Sequence, residues 1–240
     1  MTPARPLSPL CSTLFTSLCA TALALLPAPP AQAQFAGLPL AQGIPECLTG
    51  GLSAGKCLDE IEAKALRQSA GKVTRKEGQL RLQIKPKPLL LTNDDTEGQK
   101  FINYTYLGLD PLLKQHMLYI GFYEGDQYWA IHPGTGQISK MNGYPLLNPD
   151  GLHFATMSVD MLAGFNPNLV VIWQIDSGQF KKLAEIKGDK WGPDGIKWLA
   201  ANQLEVKKVC ASSDPAHSEQ FAPCGALMIG SGKAGWGVLP

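Results

Sequence analysis

The segment Gly50-Gly51-Leu52-Ser53-Ala54-Gly55-Lys56-Cys57 puts a serine, a lysine and three glycines at spacings that three kinds of chemistry use. Gly50 to Lys56 has the spacing of a phosphate-binding loop, in which glycine amides cradle phosphates and the lysine reaches the terminal one. The position whose hydroxyl would hold magnesium is Cys57, however, and no buried parallel strand precedes the loop. Gly51-x-Ser53-x-Gly55 has the spacing of a nucleophile elbow, whose glycines permit a sharp strand-to-helix turn that exposes the serine oxygen. The preceding Gly43 to Cys47 makes a poor central strand, and no alternating β-α units surround it. Ser53-x-x-Lys56 is half of a penicillin-type acylation set, but Lys-Thr-Gly is missing and Ser212-Ser213-Asp214 is a weak substitute for Ser-Asp-Asn. The glycines are therefore read as a small loop, with Ser53 capping the helix that follows. Serine hydrolysis through Ser53 ranks third among the functions considered.

Other chemistry is thinner. Asn93, Asp94, Asp95 and Glu97 collect carboxylates in one loop without the order of a calcium-binding hand, so they read as a solvated turn. No Cys-x-x-Cys pair exists, and His116, His132, His153 and His217 lack ligand spacing, so neither a metal nor a cofactor is called for. No carboxylate pair earns acid and base roles, and no catalytic residue is assigned. Trp129 and Trp173 occupy related positions in the β pattern and read as core. Trp191 and Trp198, flanking Pro193, are the surface candidates for stacking on a sugar. The Asp160 to Asn168 loop, with Phe165, Asn166 and Asn168, is the candidate recognition loop.

The elements that must position these residues follow from the ends inward. Residues 1–33 carry one basic residue, an apolar run from Leu10 to Leu26 and Ala31-Gln32-Ala33 as a small-x-small site, the pattern of a secretory signal. Cleavage near Ala33 leaves a periplasmic or secreted chain without a stable membrane anchor. It also removes Arg5, one of 21 basic residues, and balances the rest against 20 acidic ones. A neutral mature chain has no electrostatic footprint for nucleic acid, and the lysines between Lys72 and Lys87 read as a solvated connector. Cys47, Cys57, Cys210 and Cys224 survive cleavage; closeness along the chain favours Cys47 with Cys57 and Cys210 with Cys224 among the three possible pairings. Residues 34–78 form an extension holding the disulfide loop and one short amphipathic helix, Leu58 to Ser69, with Asp59 and Glu60 in its first turn.

Residues 79–209 are the β-repeat domain, and residues 210–240 a disulfide-containing tail. Gln79 to Ile84 alternates and opens the region. Phe101 to Leu109, Met117 to Tyr123, Tyr128 to Ile131 and Ile138 to Met141 read as a four-strand meander with turns at Glu124-Gly125-Asp126 and Pro133 to Gly136. Pro149-Asp150-Gly151 then opens a second set, Leu152 to Ser158, Leu169 to Ile175 and Phe180 to Ile186. Pro193-Asp194-Gly195, 44 residues on, precedes a third, Ile196 to Leu199 and Gln203 to Val209, with Ala226 to Ile229 as a last strand. Periods of about 40 to 45 residues are those of four-stranded propeller blades.

Leu147-Asn148-Pro149-Asp150-Gly151-Leu152 before a strand, and Val171-Ile172-Trp173-Gln174-Ile175-Asp176-Ser177-Gly178 at the end of another, resemble the repeats of secreted TolB-type and tryptophan-aspartate propellers. The resemblance spans residues 90 to 209 and implies a mainly β, propeller-like array of blade-like antiparallel sheets. There is room for about three repeat units where closed propellers use at least four, so an incomplete propeller, a sandwich and closure by a partner chain all stay open. The expected function is an exported, non-enzymatic scaffold that binds an envelope or extracellular protein through its loops. The alternative is glycan or small-ligand binding at Trp191 and Trp198.

Overall fold

The computed structural model describes residues 47, 54–212 and 220–240, all within the compact unit Gln34–Pro240. The expected signal segment, the lead-in, Ser53 and most of its glycine loop lie outside the described residues. The helix α1 (Ala54–Gln68) leads into a mainly β structure among the described residues. It begins a turn earlier than its apolar spacing suggests, which moves Asp59 and Glu60 out of the first turn.

Four antiparallel sheets follow in strict chain order. The first holds β1 (Val73–Lys76), β2 (Gln79–Leu82) and β3 (Leu89–Thr92). The second is β4 (Ile102–Leu109), β5 (His116–Phe122), β6 (Asp126–Ile131) and β7 (Ile138–Met141). The third is β8 (Leu146–Leu147), β9 (His153–Ser158), β10 (Leu169–Asp176) and β11 (Gln179–Lys187). The fourth is β12 (Trp191–Ala200), β13 (Gln203–Ala211), β14 (Phe221–Gly232) and β15 (Gly235–Val238). The three four-stranded sheets start at Ile102, Leu146 and Trp191, so the sequence period is the period of the sheets.

Burial alternates with the pleat and explains the stacking. Along β5, Met117 and Tyr119 face the third sheet while Leu118 and Ile120 face the first. Along β10, Leu169, Val171 and Trp173 face the second sheet while Val170 and Ile172 face the fourth. Strands covered on both faces read as continuous apolar runs. The end sheets alternate instead: Leu80 and Leu82 of β2 point inward, with Gln79 and Arg81 exposed outside. Among the described residues no hydrophobic cluster joins the first sheet to the fourth.

Several expectations change. Pro149-Asp150-Gly151 is a turn, closed by Gly151 N–H on Asn148 O and by Asp150 Oδ1 accepting from Leu152 and His153 amides. Pro193-Asp194-Gly195 is not; it lies inside β12, where the register slips between Pro193 and Gly195, so that the extra residue is absorbed as a bulge. The Lys72 to Lys87 stretch is no connector, because its apolar alternation supplies β1 and β2. The boundaries drawn after residues 78 and 209 fall inside sheets: β1 pairs with β2, and β14 and β15 complete the fourth sheet.

Both disulfides have the expected pairing. Cys47–Cys57 spans a Cα separation of 5.4 Å and ties the chain to α1; Cys210–Cys224 spans 5.8 Å and joins β13 to β14. Leu58 and Ile61 of α1 pack on the cluster between the second and third sheets, and Ala65 and Leu66 on that between the first and second. Between them sits Glu62, whose carboxylate accepts from Arg75 Nε of β1 at 2.5 Å, Arg75 Nη2 at 2.8 Å and the Tyr106 amide at 2.7 Å. Arg75 Nη2 also donates to Tyr104 O. The Tyr106 amide adjoins a register shift in β4, and Glu62 supplies the partner that the bulged ladder lacks there. This paired charge orients the helix against two sheets.

Candidate functional site

Meander topology gathers alternate connections at one end of the stack: the β5–β6 turn, the β7–β8 connection and the β9–β10 loop. They touch closely. A Cβ on Gly125, at φ +86°, would stand 2.7 Å from Asn166 Oδ1, and one on Gly143, at φ +96°, would stand 1.9 Å from Met157 O. Both positions need glycine for conformation and for space.

The β9–β10 loop is built around Asp160. Its carboxylate accepts from the Ala163 amide at 2.9 Å, the Phe165 amide at 2.8 Å and the Asn166 amide at 3.1 Å. Asn168 closes the base, Oδ1 accepting from Asp160 N at 2.7 Å and Nδ2 donating to Asp160 O at 3.3 Å. Burial pushes the Asp160 carboxyl up, but the amides of Asn166, Gly164, Ala163 and Phe165 outweigh it and hold the group below its ordinary 3.8. The loop is thus a compact platform, and it leaves Phe165 53% and Leu162 70% exposed. Val159 of the same loop and Tyr123 of the β5–β6 turn are exposed as well.

At this end opens a cavity of about 310 Å³ lined by Asp126, Tyr128, Tyr144, Met157, Ser158 and Asn166. Tyr119 Oη donates to Asp126 Oδ2 at 3.1 Å, and Asn166 Oδ1 accepts from Asp126 N at 3.1 Å while its Nδ2 lies 3.5 Å from Asp126 Oδ1. Tyr119, Tyr128 and Tyr144 meet edge to face, with centroids 5.5 and 5.7 Å apart, and Tyr144 Oη donates to Asp110 Oδ2 at 2.8 Å. Burial, chiefly, pushes the Tyr119 and Tyr128 phenols up, so both stay neutral. Burial, opposed by the Tyr119 hydrogen bond and reinforced by Asp160, also pushes the Asp126 carboxyl up. The arrangement offers a carboxylate beside aromatic rings in an open cavity.

Three of the expected binding residues share the β9–β10 loop: Phe165 is exposed on it, Asn166 lines the cavity, and Asn168 closes the loop's base. The tryptophans do not join them. Trp198 is only 6% exposed, its Nε1 donating to Leu146 O at 3.0 Å across the third and fourth sheets, and Trp191 packs against the same cluster. Trp198 is thus core and not part of an exposed face, because the alternation of β12 turns Ile196 and Trp198 inward together; Trp191 is half-buried. Trp129 and Trp173 are buried as well. Asp94 caps its own turn, accepting from Thr96 N at 2.9 Å. Sequence reading missed Tyr119, Asp126, Tyr128 and Tyr144; the available signal was the opposed pair Tyr119 and Tyr128 beside the Gly125 turn.

These features define a class: a stack of β meanders with a built cavity at its loop end. No protein-family model, curated protein or solved structure matches this chain.

Proposed function

We propose that the chain is an exported, non-enzymatic scaffold whose loop end binds a partner protein, with Asp126 receiving a lysine or arginine side chain of that partner. The observation that carries this reading is the Asp126 carboxylate in a cavity shared with Tyr128 and Tyr144, on loops that also leave Tyr123, Leu162 and Phe165 exposed. Aromatic faces attract cations, a desolvated carboxylate adds charge-assisted hydrogen bonds, and apolar anchors around such a pair exclude water as in binding hot spots. Export rests on the signal-like residues 1–33 and agrees with two disulfides; among the described residues no helix is long and apolar enough to cross a membrane. The sheets form an open, propeller-like array in this reading, its blades stacked without ring closure.

The test is selection of a random peptide library on the full chain with disulfides intact. The expected result is enrichment of Lys or Arg at one position flanked by apolar residues, lost with Asp126→Asn and weakened about tenfold or more with Leu162→Ala or Phe165→Ala. Enrichment that ignores charge, or that survives all three substitutions, would refute the assignment of this surface. Export is checked by the amino terminus of protein recovered from the native cell envelope or medium, expected near Gln34.

A further inference from the structure

A second cleft, of about 260 Å³, opens between the last turn of α1 and the end of β4, lined by Ala65, Gln68, Lys72, Tyr106, Leu109 and His116 among others. It is smaller than the roughly 300 to 1,000 Å³ of drug-sized sites. At its wall His116 is 94% buried, being only 6% exposed. Tyr106 Oη lies 3.0 Å from His116 Nδ1. Burial keeps the phenol protonated, and burial followed by the nearby Lys72 charge pushes the imidazole down to about 4. Both groups are therefore neutral at pH 7. With Tyr106 O–H donating to Nδ1, the imidazole proton sits on Nε2. Nε2 has no partner among the described residues and is not among the fully buried unpaired atoms, so its N–H opens on the cleft.

The remaining lining agrees in sign. Lys72 and the Gln68 amide add donors, no carboxylate among the described residues lines the cleft, and Ala65, the Tyr106 ring and the 49% exposed Leu109 form an apolar wall. The negative end of α1 opposes an anion here. It is blunted because Ser69 N donates to Ala65 O and Ser69 Oγ to Leu66 O, and because Arg67 lies in the last turn.

We propose that this cleft binds a small organic carboxylate, its oxygens held by His116 Nε2–H and Lys72 and its apolar part lying along Ala65 and Leu109. The site is separate from the loop-end cavity and does not depend on the function proposed for it.

The test follows the histidine ring ¹⁵N and ¹³C resonances of the full chain at pH 7 during titration with sodium butyrate, with butylammonium and phosphate as parallel arms. His116 is assigned by its absence in His116→Asn. The free protein is expected to show His116 as the Nε2–H tautomer. Butyrate should shift its ring saturably, Lys72→Ala should weaken that response about tenfold, and butylammonium should have no effect. Lys72 is exposed, so its substitution leaves the fold intact. An Nδ1–H tautomer, the absence of a saturable shift, or a response indifferent to Lys72→Ala would overturn the proposal. Phosphate binding as tightly as butyrate would overturn its organic part and leave a site for inorganic oxyanions.

Discussion

At neutral pH the Asp126 carboxylate is held among tyrosine rings, where desolvation penalises its charge. Its folded pKa is raised above the unfolded 3.8, so the protein binds this proton more tightly when folded. The contribution to stability is present below pH 3.8 and is lost as pH rises through the raised value. Asp126→Asn keeps an acceptor for Tyr119 and removes the charge. It should raise the melting temperature at pH 7, and the gain should vanish below pH 3.8, while peptide selection is lost. A variant no more stable than the parent at pH 7 would show that the carboxylate is not being held against its own preference. Asp160 has the opposite sign. Its folded value is depressed, so its stabilisation is complete above 3.8 and fades as pH falls through the lower value. The Phe165 and Asn166 amide resonances should therefore move only in acid, and Asp160→Ala should displace them at pH 7 while costing only about 1 kcal/mol globally, as for a lost cap.

At the scale of elements, loops decide what the strands present. Gly143→Ala would force a Cβ to within 1.9 Å of Met157 O at positive φ, and backbone cannot yield as a side chain tip can. A loss of about 3 kcal/mol or more is expected by denaturant titration. Gly125→Ala meets a movable amide at 2.7 Å and should cost less stability but displace Asn166 from Asp126. The strands of the second and third sheets were legible because Met117 to Ile120 and Val170 to Trp173 combine apolar runs with glycine turns at Gly125, Gly136 and Gly178. The phase of the last repeat was not, because Pro-Asp-Gly makes a turn at Pro149 and a bulge at Pro193, and only the partner strand's register distinguishes them. The Asp160 loop was legible from Phe165 flanked by Gly164 and Asn166. Asp126, whose amide meets Asn166 of this loop, is 40 residues earlier in sequence and became a neighbour only through sheet stacking.

Across the whole molecule, each sheet packs on its chain neighbours among the described residues, so stability should behave as in stacked repeats, with end units holding on through one face. The end sheets carry a polar outer surface suited to water: Thr74, Lys76, Gln79 and Arg81 on the first, Lys197 and Lys207 on the fourth. The fourth is additionally tied by Cys210–Cys224, whose closure over 14 residues contributes about 3 kcal/mol if unstrained. Native-state hydrogen exchange should therefore rank the amides of β5 and β10 as the most protected, with β2 and β15 opening at lower free energy. Ile172→Ala, fully buried between the third and fourth sheets, should cost about 2 to 5 kcal/mol, and Cys210→Ser with Cys224→Ser should lower the opening free energy of β13 to β15 alone. If either change lowered protection equally in β2, β5, β10 and β15, the four sheets would be unfolding as one cooperative body, and the polar outer faces would have to be explained by something other than stacking along a single line.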